Sequence, residues 1–191
     1  MLRLSFSLLL TVLAALSSTC SAFTLNFVNR CPQPLLVGVA RAPNGQPDPN
    51  YHEARELGAN GGTGSVGVDD HLTGVRAWPR TGCKADGTGC QTGGCVGGRL
   101  CTDGGLQAAV QYAEFGYGDF GTQYGGERIA WDLSHVDSSI NVGQSITDNK
   151  GQTVVCKSVS CDPSQSYNQP YDSEADRNSP LGTTFTITYC P

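Results

Sequence analysis

The chain has 191 residues, 12 of them basic and 17 acidic, a net charge of −5 and only 15% charged side chains. A sparse, net acidic charge excludes a protein that holds nucleic acid or an anionic membrane by electrostatics. With 25 glycines, 10 prolines and 9 cysteines, composition also excludes a helical bundle and points to a loop-rich all-β domain stapled by disulfides.

Met1–Ala22 has the layout of a secretory signal peptide. Arg3 supplies the positive end, Leu8–Leu16 the apolar centre, and Cys20-Ser21-Ala22 a small-residue cut site. The apolar run falls short of the ~20 residues that span a bilayer. No membrane span is expected, and the chain is expected to be secreted. One domain then covers residues 23–191. Loss of Cys20 leaves eight cysteines, at 31, 83, 90, 95, 101, 156, 161 and 190. An even count in a secreted chain implies disulfides, with on the order of a hundred pairings open. No C-x-x-C pair occurs, and His52, His71 and His135 do not fall at ligand spacing, so no metal and no other cofactor is expected.

Phe23–Val28 (FTLNFV) alternates apolar and polar residues as a strand does, and Leu35–Ala40 reads as a second. The turn at Asn29–Pro32 allows the two to form a hairpin. Ala42–Gly62, rich in Pro, Asn and Gly, reads as surface loop. Gly62–Gly67 fits G-x-G-x-x-G, but Val68-Asp69-Asp70 follows where a nucleotide site needs a helix, so a flexible turn is expected.

Val75–Cys101 (VRAWPRTGCKADGTGCQTGGCVGGRLC) carries four cysteines, with glycine recurring too often for a helix. Val75, Ala77 and Trp78 read as a strand entering a cross-linked knot, and the knot is expected to fix one wall of a site. Leu106–Phe115 (LQAAVQYAEF) fits a helical period and a period of two alike, so the pattern leaves it open. Gly116–Gly126 is a glycine and aromatic loop. Ile129–Val136 reads as a strand ending in a turn at Asp137-Ser138. Thr153–Cys156 is a short strand, Cys156–Cys161 a tight loop and Asp162–Pro180 an extended surface loop. Thr183–Tyr189 (TTFTITY) is the clearest strand.

Several of these segments, in this order, resemble the thaumatin-like proteins. FTLNFVNRCP looks like the family's first strand and first cysteine. GVRAWPRTGC and CQTGGCVGGRLC are similar to its central signature. Tyr112-Ala113-Glu114-Phe115 resembles its Ala-Glu-Phe strand, WDLSHVD its Tyr-Asp-Ile-Ser-Leu-Val-Asp segment, and FTITYCP its closing strand. The resemblance implies a flattened antiparallel β-sandwich, a monomer, and a strand at Leu106–Phe115. It also implies the bridges Cys31–Cys190, Cys83–Cys90, Cys95–Cys101 and Cys156–Cys161. The chain departs from the family at Gly94, where Asp is usual, and at Ser138–Asn141. Asn141–Tyr171 is short where the family carries a second lobe, so one wall of the cleft is expected to be low.

By the same resemblance an acidic cleft is lined by Arg76, Glu114, Asp132, Asp137 and Asp172, the last placed by the spacing Tyr167-x-x-Pro170. Glycoside hydrolysis uses one protonated and one ionised carboxyl astride the scissile bond. Crowded carboxylates raise one another's pKa. Glu114 is the expected acid, with Asp132 or Asp137 as base or nucleophile. Arg76 and Asp172 are expected to hold substrate, and Trp78, Tyr112 and Tyr117 to stack on sugar faces. The implied function is a secreted protein that binds cell-wall β-1,3-glucan, with weak endo-hydrolysis as its furthest extent. A non-catalytic antifungal defence protein is an alternative. So is an inhibitor of a secreted glycosidase or protease, presenting Ala42–Gly62 or Asp162–Pro180.

Overall fold

The computed structural model describes residues 21–191. The signal peptide expected over Met1–Ala22 lies outside them up to residue 20. Two sheets pack face to face. The first holds β1 (Ala22–Asn29), β4 (Gly62–Asp69), β8 (Gln144–Asp148), β9 (Thr153–Cys156) and β11 (Thr184–Tyr189), in the order β4-β1-β11-β8-β9. The second holds β2 (Leu35–Arg41), β3 (His52–Leu57), β5 (Val75–Arg80), β6 (Tyr112–Asp119), β7 (Glu127–Ser134) and β10 (Arg177–Pro180), in the order β10-β7-β6-β5-β2-β3. Every named pairing is antiparallel except β1 with β11, which run parallel. All four bridges form as the family resemblance implies.

Alternation along the strands decides the core, because successive side chains point to opposite faces. Phe23, Leu25 and Phe27 of β1 and Phe185, Ile187 and Tyr189 of β11 point inward. They meet Val37, Ala77, Ala113, Phe115, Ile129 and Trp131 of the other sheet. Phe185 is the hub: its ring centroid lies 5.0 Å from Phe115, 5.6 Å from Trp131 and 5.9 Å from Phe23. Each such buried side chain contributes about 1.5–3 kcal/mol. One polar link joins the sheets through this core. Trp131 Nε1 donates to Ser179 Oγ at 2.8 Å, and Ser179 Oγ donates to Asp148 Oδ2 at 2.7 Å.

The six-stranded sheet also carries a small core on its outward face. Ala40, Trp78, Cys101, Ala108 and Val110 pack there beneath the cysteine-rich loop. Arg80, wholly buried, pins that loop by donating to the carbonyls of Gly87, Gly98 and Arg99. The knot is therefore stitched to the sheet as well as cross-linked within itself.

Several expectations are corrected. β1 and β2 do not form a hairpin; they lie in different sheets. Buried Asn29 donates to the carbonyls of Gln33 and Gly58 and accepts from Cys31 N–H, which carries the chain across the sandwich instead of back along it. Ala42–Gly62 is not all loop, because His52–Leu57 forms the edge strand β3. Gly62–Gly67 is no flexible turn, because β4 pairs along its length with β1. The strand expected over Leu106–Phe115 starts at Tyr112; Val110 before it makes only an isolated bridge to Ser139. β6 then runs on to Asp119, into the expected glycine loop. β8 and β10 arise in segments with no strand expected.

Candidate functional site: an acidic cleft on the six-stranded sheet

β5, β6 and β7 lie side by side, and their register sets Arg76 opposite Glu114 and Glu114 opposite Asp132. Ala77, Ala113 and Leu133, the neighbours in sequence, face the core. The three charged side chains therefore stand outward as one row across three strands. Arg76 Nε donates to Glu114 Oε1 at 2.8 Å. The Arg76 guanidinium also lies 5.3 Å from the centroid of the Tyr112 ring, a cation–π distance. Tyr112 in turn donates its hydroxyl to the Gly105 carbonyl at 2.7 Å, which ties the row to the knot.

A cleft of about 520 Å³ stands over this row. Leu106 and Ala109, in the segment that follows the knot, line it, whereas no residue from Cys83 to Cys101 does, so the wall expected of the knot falls to the segment after it. Val136, Asp137 and Ser138, after β7, line it too and adjoin the first segment, with Ser138 Oγ donating to the Val110 carbonyl at 3.2 Å, and Tyr167 and Pro170 complete the lining. Asp137 reaches its place with a left-handed backbone, φ 50°. Tyr167 donates its hydroxyl to Asp176 Oδ1 at 2.7 Å. Burial and that carboxylate push the Tyr167 phenol up.

Asp132 is the unusual group. The residue is partly exposed, yet its Oδ1 is shielded and has no hydrogen-bond partner. Burial drives its carboxyl well above the ordinary range, Glu114 and Asp176 add to the effect, and Arg76 opposes it. Asp132 is thus the carboxyl biased toward its protonated form, while Glu114 stands in an ion pair with Arg76. The sequence-based expectation had the acid at Glu114, which the structure places in the ion pair with Arg76.

Of the expected residues, Arg76, Tyr112, Glu114, Asp132 and Asp137 meet in the cleft. The other three do not line it. Trp78 is wholly buried beneath the knot and donates Nε1 to the Gly93 carbonyl at 3.0 Å, so it has no face free for a sugar. Tyr117 lies farther along β6, bonded to Glu127 and 5.0 Å from the His71 ring. Asp172 accepts from the N–H groups of Asn168 and Gln169, both at 3.0 Å, and so shapes the loop that presents Tyr167.

Ser134, Tyr167 and Asp176 belong to the site and were not singled out from sequence. Ser134 follows Asp132 by two residues on a strand, which puts it on the same face. Tyr167 opens the same spacing that placed Asp172. Asp176 precedes Arg177, which pairs with Trp131, so the register carries it beside Asp132.

The Thaumatin family model matches residues 29–190. The "pathogenesis-related protein 1A/1B" of Hordeum vulgare is 32% identical over 187 residues, 97% of this chain and 98% of its own length. The "thaumatin-like protein PWIR2" of Triticum aestivum is 31% identical over 185 residues, 96% of each. Among solved structures, the thaumatin-like xylanase inhibitor TLXI is similar with a TM-score of 0.60 and 25% identity, over 87% of this chain and 99% of its own. The protein elicitor MoHrip2 from Magnaporthe oryzae shares the fold, with a TM-score of 0.52 and 14% identity over 89% of this chain and all of its own. Family model and relatives alike run nearly the whole length of the described residues, and the chain belongs to the thaumatin family.

Proposed function

We propose that this is a secreted defence protein whose acidic cleft holds a β-1,3-glucan chain of a cell wall. The observation that carries this reading is the outward row Arg76–Glu114–Asp132, set in a loop-lined cleft beside Tyr112 and Tyr167. Charged side chains and phenols offer donors and acceptors to sugar hydroxyls, and tyrosine rings offer faces to pyranose rings. The pair Glu114 and Asp132 also supplies one ionised and one proton-holding carboxyl, the combination that glycoside hydrolysis needs. In this reading Asp132 donates the proton to the leaving oxygen, and Glu114 or Asp137 acts as base or nucleophile. A cleavable leader and four disulfides support a place outside the cell, where such bridges persist.

The test is binding to insoluble linear β-1,3-glucan and reducing-sugar release, for wild type, Asp132→Asn and Glu114→Gln. Binding that both variants weaken supports the cleft. Release by wild type alone makes it a hydrolase; binding without release makes it a lectin-like site. Wild type that neither binds nor releases sinks the reading.

Likeness to a xylanase inhibitor favours a second reading, an inhibitor of a secreted glycosidase. Of the two loops expected to present themselves, Ala42–Gly62 is partly taken up by β3, whereas Asp162–Pro180 bears Tyr171, 94% exposed and next in the chain to Pro170 of the cleft. Inhibition of a xylanase that Tyr171→Ala abolishes and Glu114→Gln leaves intact would establish this reading over the first.

A further inference from the structure

Asp70 stands at the end of β4, wholly buried between the sheets. Its carboxylate accepts the Ser21 hydroxyl, and the Gly182 N–H at 3.1 Å and 2.9 Å from its two oxygens. No cation reaches it: none of the ion pairs among the described residues involves Asp70. Of the nearby titratable groups, His71 turns to Asp69, at 3.4 Å, and stacks its ring on Tyr117, which bonds Glu127. The turn that brings Gly182, residues 180–183, has no ionisable side chain. A buried carboxylate with so few partners is costly unless a positive charge joins it.

The Ser21 hydroxyl belongs to the segment expected to leave with the signal peptide. Cutting after Ala22 removes that donor and creates a new positive charge, the α-ammonium of Phe23, on the same strand. We propose that Asp70 is the receptor for this α-ammonium, so that maturation exchanges a hydroxyl–carboxylate contact for a buried ion pair. The register supports it. Asp70 N–H donates to Ser21 O and Gly61 N–H to Asn29 O, whereas Thr24 N–H donates to Thr183 O. Odd-numbered residues of β1 therefore turn their backbone groups toward β4, and the Phe23 nitrogen faces the strand that bears Asp70. Phe23 and Ser21 are two residues apart, roughly 7 Å along a strand. A freed chain end can pivot across much of that gap. An ammonium offers three donors, enough to keep its strand partner and still reach Asp70.

The test uses the secreted protein, its N-terminus confirmed by sequencing, in four forms: free or acetylated at the α-amine, each with Asp70 or with Asp70→Asn. Thermal unfolding is followed from pH 6 to pH 10. An ordinary α-amine titrates at ~8, and an ion pair raises it in the folded state. The added stability is then complete below ~8 and fades as pH rises through the folded value. The expected result is that acetylation lowers Tm by several degrees at pH 6 with Asp70 present and by little at pH 10. In the Asp70→Asn background it should lower Tm by little at any pH. Equal Tm for free and acetylated Asp70 forms at pH 6 overturns the proposal. So does an acetylation effect of the same size in both backgrounds, which would leave Asp70 as an acceptor for Gly182 alone. Should Asp70→Asn fail to fold, the pH dependence of the acetylation effect in the Asp70 form decides by itself.

Discussion

The outward faces of the two sheets use the same device to different ends. On the five-stranded sheet a row runs Ser65–Asn26–Thr186–Thr147–Thr153 across all five strands, and none of its members is charged. Thr147 and Thr153 hydrogen-bond to each other at 3.0 Å, and the face is otherwise open to solvent. On the six-stranded sheet the row is Arg76–Glu114–Asp132, and loop residues rise over it to form a cleft. Strand register alone builds either row. What makes one of them a site is its lining: Leu106, Ala109 and residues between Val136 and Pro170 stand over the row, and an oxygen of Asp132 is left shielded and without a partner. On the bare face the same carboxyl would be solvated and ordinary.

That contrast can be broken most forcefully at Gly105. It adopts φ +75°, and a Cβ there would lie 2.5 Å from the Trp78 ring. Gly105→Ala should cost about 3 kcal/mol, from backbone strain and overpacking together. It should also weaken ligand binding in the cleft, because the Gly105 carbonyl anchors Tyr112. Chemical denaturation and a binding titration on the refolded variant would check both. Next in size is the link between the sheets. Ser179→Ala leaves buried Trp131 Nε1 without an acceptor and Asp148 short of a donor, and should cost about 1–3 kcal/mol. Its effect on glucan binding should be small, since Ser179 lies on the core side.

The third test sharpens the comparison through pH. Asp132 has a raised folded pKa, so its favourable contribution is complete below its unfolded value of ~4 and is lost as pH rises through the folded value. Asp132→Asn does not titrate there. Relative to wild type, its Tm should therefore climb with pH, and a calorimetric series should show the gap widening from acid to neutral. A constant gap would mean that Asp132 ionises like a surface carboxyl. The smallest effect is expected on the bare face. Thr186→Lys should change stability by about 0.5 kcal/mol or less and leave binding in the cleft untouched. A loss of glucan binding there would show that the wrong face has been assigned.

Much of the sandwich can be read from sequence where alternation is strict. FTLNFV and TTFTITY become β1 and β11 within a residue or two. Strands that escape the pattern have physical reasons to do so. β3 (HEAREL) is an edge strand carrying charge, the usual protection of an exposed edge, and so it reads as loop. β4 (GTGSVGVD) buries only Val66 and Val68 and leaves its other face to glycine and hydroxyls. β8 offers a single aliphatic residue, Ile146, and β10 ends in a proline that only an edge tolerates. Pairing is harder still, because alternation states which face of a strand is buried and not which strand lies beside it. β1 therefore looked like the partner of β2.

The site divides in the same way. Arg76, Glu114 and Asp132 sit on strands whose phase is fixed by Ala77, Ala113 and Leu133, and the family resemblance found all three. Asp172 and Tyr167 share an irregular loop with no period from which to read direction, and there the choice of residue failed. Trp78 misled for another reason. Its large face suits a sugar, but the knot uses that same face as a floor.

β11 lies at the middle of the five-stranded sheet, hydrogen-bonded to β1 on one side and β8 on the other. It is also the last of the described strands in chain order. Until it arrives, β1–β4 and β8–β9 are two separate ribbons with no common backbone contact, and the aromatic hub at Phe185 is missing. A polypeptide that stops before Thr184 cannot assemble half of the sandwich, so ribosomal truncation products should be left open to proteases while the full-length chain, its ends joined by Cys31–Cys190, closes. The five-stranded sheet thus waits for its central strand before it can close.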